Sequence, residues 1–409
     1  MNQSCDILII GSGPAGLAAA RAACQAGLGI TVIDDNPRPG GQIWRNGPQT
    51  RLEPAVLARL AILEHPSIRY LPGTRVVAAL KPGSLLLENA EHGFVITYQR
   101  LILCCGAREL LLPFPGWTLP GVTGAGALQA LVKNGLSISG ERTVIAGSGP
   151  LLLASAATAC NAGAQVNQVL EQASGTSVMG FAAHLWRWPT KIRQAIGLAT
   201  TVYRWNSHVV EALGEQRLEA VRVNVGGRLK DIPCERLACG FGLVPNTTLA
   251  VHLGCELQGT AIAVDPHQRT ILPQVYAAGE CTGVGGSELA MVEGEIAGLA
   301  ASGQHQEIKA LLSHRDRWQA FADRATQAFA LNPAIHNLAQ PDTLLCRCED
   351  VPFAAMACEA SWTAAKLQTR CGMGACQGRV CGSAAQALFG WEAPLPRTPL
   401  VPARISTLL

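Results

Sequence analysis

Ile7, Leu8, Ile9 and Ile10 form a short unbroken apolar run that stops at Gly11, the pattern of a buried parallel strand rather than one with a wet face. A glycine turn follows, then an alanine-rich stretch with helical spacing, then a second apolar run that ends on Asp34 and Asp35. The same succession returns at residues 143 to 171: strand, GSGP turn, helix and a strand closing on Glu171. Residues 143 to 170 carry no charge and would fill a membrane-length window, but Gly147, Ser148, Gly149, Pro150, Asn161 and Gly163 break it into separate elements, so no span is expected. Elsewhere the pattern predicts a helix over 51–64 and strands over 74–80 and 94–107. It predicts a proline-rich hinge over 111–121, a helix then strands within 176–235, a strand and helix over 274–301, and polar helices with a linker over 303–340.

The first turn, Gly11-Ser12-Gly13-Pro14-Ala15-Gly16, has glycine where a tight turn, a close pyrophosphate and close helix packing each need one. Its helix start offers unpaired N–H groups and the positive end of the macrodipole to phosphate. Asp34 is placed to accept ribose hydroxyls, with Asp35 beside it. The loop that follows contains Pro37, Pro39, Gly40 and Gly41 and is expected to fold over the ligand, reaching it with Gln42 and Arg45. Val77, Gly106 and Gly279 are further expected points of contact. Glu280 should face a sugar alcohol chain near the helix opening at Gly286. In the second copy Gly147, Gly149, Pro150, Leu151 and Glu171 are the matching candidates. Leu152 stands there in place of the third glycine, and it is expected to hold the helix away or crowd the pyrophosphate.

Composition narrows the partners. The 409 residues suffice for two or three domains with real cores, and 32 basic against 29 acidic residues leave +3, which makes no case for nucleic acid. Fifteen cysteines lie scattered through apolar segments, and no basic region precedes the first apolar run, so a reduced, cytoplasmic protein is expected, with membrane contact at most peripheral at the inner face. Cys104 and Cys105 are read as small buried side chains rather than a redox pair, since adjacent cysteines bridge only under strain.

The last hundred residues carry different chemistry. Cys346, Cys348, Cys371, Cys376 and Cys381 include a Cys-x-Cys pair and a Cys-x4-Cys pair, and four thiolates suit a [2Fe–2S] cluster or a structural zinc. The tight first pair is less typical of zinc. Glycines at 372, 374, 378 and 382 can turn N–H groups toward cluster sulfurs, while Arg347, Arg370 and Arg379 can offset its charge.

With GSGPAG (11 to 16), PRPGGQIWR (37 to 45), PFPGWTLPGVTGAGALQ (113 to 129), GSGPLL (147 to 152), AAGECTGVGG (277 to 286), CRCEDV and GMGACQGRVC (372 to 381), the chain resembles the flavoprotein A or alpha subunits of bacterial heteromeric amine dehydrogenases. That group takes in opine oxidase, hydrogen cyanide synthase and hydroxyproline or proline dehydrogenase. The tail is similar to bacterioferritin-associated ferredoxin. The resemblance implies that Cys346, Cys348, Cys376 and Cys381 hold a [2Fe–2S] cluster and that Cys371 is spare. It also implies FAD, an FMN at a subunit interface, a partner flavoprotein (beta or B subunit) that oxidises the amine or amino acid, and a small ferredoxin-like subunit. Glu280 departs from the aspartate common in such flavoproteins, one methylene longer.

The expected architecture is therefore α/β: two Rossmann-like dinucleotide-binding domains of the FAD/NAD(P)-linked reductase type, the second inserted in the first, plus a small C-terminal [2Fe–2S] domain. The expected boundaries are 1–112 with 236–302 for the flavin domain, 113–235 for the inserted one, 303–340 for a linker and 341–409 for the cluster domain and tail. The leading functional expectation is an electron-transfer subunit of a dehydrogenase or oxidase acting on a C–N bond. Two alternatives stand beside it: a self-sufficient NAD(P)H-dependent flavin and iron–sulfur reductase, and a scaffold holding ATP or ADP in the second fold. Disulfide reduction is disfavoured, because the flavin half lacks cysteines paired two or four apart. No residue pattern identifies a catalytic base.

Overall fold

The computed structural model describes residues 3–47, 50, 52–198, 203–392 and 394–409. The chain forms two compact units, one of residues 1–108, 244–323 and 395–409 and the other of residues 109–243 and 324–394.

The first unit is built on a seven-stranded sheet. Its path runs Ile68–Leu71, Ile30–Ile33, Gln3–Ile10, Gly93–Leu103, Ser84–Glu88 and Arg75–Lys81, and Val275–Ala277 also pairs with Gly93–Leu103. The apolar runs form the parallel centre, with Ile7 opposite Ile30 and Ile10 opposite both Ile33 and Leu103. The long strand Gly93–Leu103 serves two geometries, antiparallel to Ser84–Glu88 through its first half and parallel to Val275–Ala277 through its last residues. Helices Pro14–Ala23 and Ser287–Ser302 pack closely because small residues meet there. A Cβ on Gly294 would run into the backbone of Ala15, and one on Gly298 into that of Ala19.

The second unit holds a five-stranded sheet ordered Tyr203–Arg204, Gln165–Glu171, Arg142–Gly147, Arg236–Gly240 and Val122–Gly124, parallel throughout. An antiparallel sheet of Ser207–Leu213, Ala220–Val225 and Arg228–Pro233 accompanies it. The uncharged 143–170 stretch is strand Arg142–Gly147, helix Leu151–Asn161 and strand Gln165–Glu171, and among the described residues no helix is long and apolar enough to cross a membrane.

Several boundaries differ from the sequence expectation. Strand Arg236–Gly240, expected in the flavin domain, pairs on both sides with strands of the second sheet. The 111–121 stretch is no hinge: Leu112, Phe114 and Trp117 lie in the second unit's core, and the Trp117 indole donates to the Leu344 carbonyl (2.6 Å). Three large buried side chains outweigh its prolines. The cysteine segment is not a separate compact unit, because Ile335, Leu338 and Ala384 share that core. The tail from Leu395 belongs to the first unit instead. Strands Ile68–Leu71 and Ser84–Glu88 had no sequence expectation, and the helix expected over 51–64 is Pro54–Leu60 with a 3₁₀ turn to Glu64, Arg51 lying outside the described residues.

Candidate functional site

The first glycine turn is built as its spacing requires. Gly11 has φ +108°, and a Cβ there would strike the Cys104 carbonyl; one on Gly16 would strike the Gly11 carbonyl. Helix Pro14–Ala23 begins from Gly13 with proline in its first turn, no side-chain cap and no acidic residue there, so its positive end is open to an anion. Ala15 lies at the helix contact, where a Cβ on Gly279 (φ +80°) would come within 2.7 Å of it.

Asp34 and Asp35, both expected at the ligand, have different surroundings. Asp34 is 7% exposed, and its carboxylate is committed internally: Oδ2 accepts the Ser12 N–H (2.7 Å) and hydroxyl (2.6 Å), and Oδ1 accepts the backbone and side-chain N–H groups of Asn36 (2.9 Å each). It ties the strand end to the glycine turn. Asp35 is exposed beyond it, with the Asn36 amide donating to its Oδ1 at 3.2 Å.

The 36–46 loop folds back over the turn. The Gly40 N–H donates to the Ser12 carbonyl (2.9 Å), and Gly41 (φ +61°) lies so near Gly13 that a Cβ would stand 3.0 Å from its Cα. Arg45 Nη2 donates to Gln42 Oε1 (2.8 Å), while its buried Nε has no hydrogen-bond partner among the described residues. A buried orphan donor beside an open helix end suits a phosphate or hydroxyl-bearing ligand. Gly106 (φ +66°) faces open space, so a ligand can approach its backbone. The Val77 side chain is fully buried, and its carbonyl accepts the Leu400 N–H (2.7 Å).

Glu280 lies beside the start of helix Ser287–Ser302. Burial raises its pKa, and the Gly286 N–H, at the start of the uncapped helix Ser287–Ser302, donates to it and pulls the other way. The sequence reading missed Glu293. This carboxylate is 6% exposed and accepts the Gly279 N–H (2.9 Å) and the Thr282 hydroxyl (3.2 Å), and burial pushes it up to about 7. Its spacing from Leu289, Val292 and Ile296 places it on the buried stripe of the helix, which was the available signal. Cys104 and Cys105 are free thiols raised by burial, in keeping with a packing role.

In the second unit Gly147 (φ +143°) abuts the Gly240 backbone, and the turn through Ser148, Gly149 and Pro150 leads into helix Leu151–Asn161. Glu171 is fully buried and accepts N–H groups from Gly149 (2.7 Å) and Ala173 (2.9 Å) and the Tyr203 hydroxyl (3.0 Å). Leu152, in the third glycine position, packs fully buried with Ala125, Ile145 and Ala238 and beside Gly240.

The cysteine segment sits on its own small core of Leu345, Val351, Met356, Trp362 and Ala385. Sγ atoms of Cys346, Cys371 and Cys381 lie within 4.8 Å of one another, and they are the one such metal-capable group among the described residues. Cys348 and Cys376 are hydrogen-bonded to each other. Burial raises Cys376, but N–H groups of Val380, Gly378 and Arg379 and the Cys348 thiol bring it below its ordinary value, which favours thiolate. A Cβ on Gly374 would overlap Cys348, so glycine is needed for the two loops to meet. Cys371, expected to stand apart, lies inside the group. Two arginines expected to offset cluster charge are otherwise engaged, Arg347 over the Trp117 ring (5.1 Å) and Arg370 with Glu349 (2.9 Å).

Residues 5–302 match the pyridine nucleotide-disulphide oxidoreductase family. An opine oxidase subunit of Agrobacterium tumefaciens is 30% identical over 92% of this chain and 84% of its own length. The hydrogen cyanide synthase subunit HcnB of Pseudomonas aeruginosa is 31% identical over 91% of this chain and 90% of its own. Among solved structures, L-proline dehydrogenase from P. horikoshii superposes with a TM-score of 0.67 at 17% identity, covering 100% of this chain and 80% of that one. Thioredoxin reductase from T. acidophilum gives 0.58 at 19%, covering 74% of this chain and 99% of its own. At such identities the structural likeness speaks for fold.

Proposed function

Because this chain belongs to the pyridine nucleotide-disulphide oxidoreductase family, with subunits of opine oxidase and of hydrogen cyanide synthase as relatives, we propose that it is the electron-transfer subunit of a heteromeric amine or amino-acid dehydrogenase. It would carry FAD and one [2Fe–2S] cluster and receive electrons from a separate catalytic flavoprotein. The observation that carries this reading is the grouping of Cys346, Cys371 and Cys381, with Cys348 and Cys376 paired to each other in the same segment, beyond the family match and in a chain whose other unit has a dinucleotide turn.

The residues present fit both groups. The Gly11–Gly16 turn and the open start of helix Pro14–Ala23 would hold the pyrophosphate, Asp35 the ribose, and Gln42 and Arg45 the side facing the loop. Glu280 and the Gly286 helix start would face the ribityl chain and the ring. Cys346, Cys348, Cys376 and Cys381 would ligate the cluster, with the Cys371 Sγ within 4.8 Å of those of Cys346 and Cys381. When bound there, a flavin would supply two-electron acceptance with one-electron release, and a cluster would supply one-electron transfer. Glu293 holds the Gly279 N–H and the Thr282 hydroxyl in place, and so positions the loop that carries Glu280.

A self-sufficient reductase would need a working nicotinamide site, and the second glycine turn is already in contact with the chain's own residues. A chain that only relays electrons is nearly inert alone. Purified with flavin and iron, it should oxidise opines, proline or hydroxyproline at less than about a hundredth of the rate of its complex with the partner flavoprotein. Equal rates for isolated chain and complex would reject the division of labour.

A further inference from the structure

The second glycine turn meets a piece of the same unit whose sequence reads as a linker. In a dinucleotide fold the turn, the helix start and the strand-end acid face the pyrophosphate and ribose. Here the Ser148 hydroxyl donates to the Phe329 carbonyl (2.6 Å). Gln172, next after the strand-end Glu171 and only 3% exposed, donates through its amide to the Ala330 carbonyl (3.0 Å) and to Ser148 Oγ (2.9 Å). Its Oε1 accepts the Asn332 N–H (2.7 Å). Phe329 covers Gly149, lying 3.7 Å from where a Cβ would stand, and its ring meets Phe181 edge-on at 5.2 Å. Ile335 and Leu338 then enter the core and anchor the segment.

Turn, following residue and ribose-side acid are thus all engaged by protein. Glu171 holds Gly149, Ala173 and Tyr203, and Gln172 reads two backbone groups of the incoming segment as a strand partner would. Gly149 is retained with a positive φ, yet the surface it exposes is covered by an aromatic ring rather than left open for phosphate.

We propose that Phe329–Asn332 is an internal plug that takes the nucleotide's place on the second fold, converting that fold into a clasp for the cysteine segment. The second unit then binds neither NAD(P)H nor ATP, and Gln172 is the positioning residue that seats the segment leading to Cys346. The inference stands on contacts within the second unit and does not depend on which substrate the chain serves.

Hydrogen exchange of the holoprotein, read by mass spectrometry, tests it. ATP or NADH at up to about 1 mM should give no saturable binding beyond the flavin site and no change in exchange over residues 145–152 or 325–334. Gln172→Ala removes three hydrogen bonds, so exchange at 325–334 should rise about tenfold or more, with peptides of the 3–47 region unchanged. Should Gln172→Ala not fold, Ser148→Ala should give a smaller rise at the same peptides. Saturable ATP or NADH binding that protects 145–152 in the unaltered protein would overturn the plug, as would exchange at 325–334 indifferent to both substitutions.

Discussion

Adjacent acids can have opposite employment. Asp34 is a structural tie, with four donors on one buried carboxylate, and replacing it leaves the Ser12 and Asn36 N–H groups without their acceptor. Losing that set costs about 2 kcal/mol or more. Asp35 stands exposed, and under the proposed flavin site it would be the acid that takes the ribose. Asp35→Ala should therefore keep its melting temperature and lose flavin affinity about tenfold or more, whereas Asp34→Ala should melt markedly lower. Thermal melts and flavin stoichiometry after gel filtration separate the two. Undiminished flavin in Asp35→Ala would return the ribose role to its neighbour. Glu293 shows the same lesson from the other side: a carboxylate on an apolar helix face is held by the loop it organises.

At the scale of elements, the cysteine segment is two loops that meet only because Gly374 lets Cys348 approach. Cys346 ends the short strand Leu344–Cys346 and Cys381 begins helix Cys381–Phe389, so these two are set by regular structure, while Cys348 and Cys376 are set by loop contact. Serine at 346, 348, 376 or 381 should abolish iron content and the reduced-state paramagnetic signal, and Cys371→Ser should keep both. Loss at 371 with retention at 376 would assign the ligands to the buried trio plus one instead. Stoichiometric zinc in anaerobically prepared protein would reject the cluster.

Across the whole molecule, the chain leaves and re-enters each unit, and the last fifteen residues close the first. The anchor is Glu88, whose side chain is 1% exposed in the sheet and accepts the Thr407 hydroxyl (2.6 Å), the Arg404 N–H (2.8 Å) and the Arg75 guanidinium. These donors, the Thr407 hydroxyl foremost, lower its pKa from 4.5 to about 2 despite burial. A depressed carboxylate stabilises fully above its unfolded pKa and loses that contribution as pH falls through the folded one. The tail should stay seated at pH 5 and above and loosen between about pH 4.5 and pH 2, seen as faster hydrogen exchange at 398–409 after correction for intrinsic rates. Glu88→Gln should exchange faster at neutral pH and show little further change on acidification.

Both strand–turn–helix–strand units were legible in the sequence, because apolar runs, glycine turns and helical spacing act over neighbouring residues and need no knowledge of the rest of the chain. The same holds for Gly11 and Gly16, whose spacing states a steric demand that the backbone then meets. What those signals could not carry was partnership at long range. That Asp34 turns inward, that Trp117 leaves a proline-rich stretch for the core, that strand Arg236–Gly240 joins the second sheet, and that Cys371 lies among the other thiols depend on which distant segments share a core. The tertiary structure alone decided that Phe329 meets Gly149, since burying that ring and pairing those backbone groups has no trace in local periodicity.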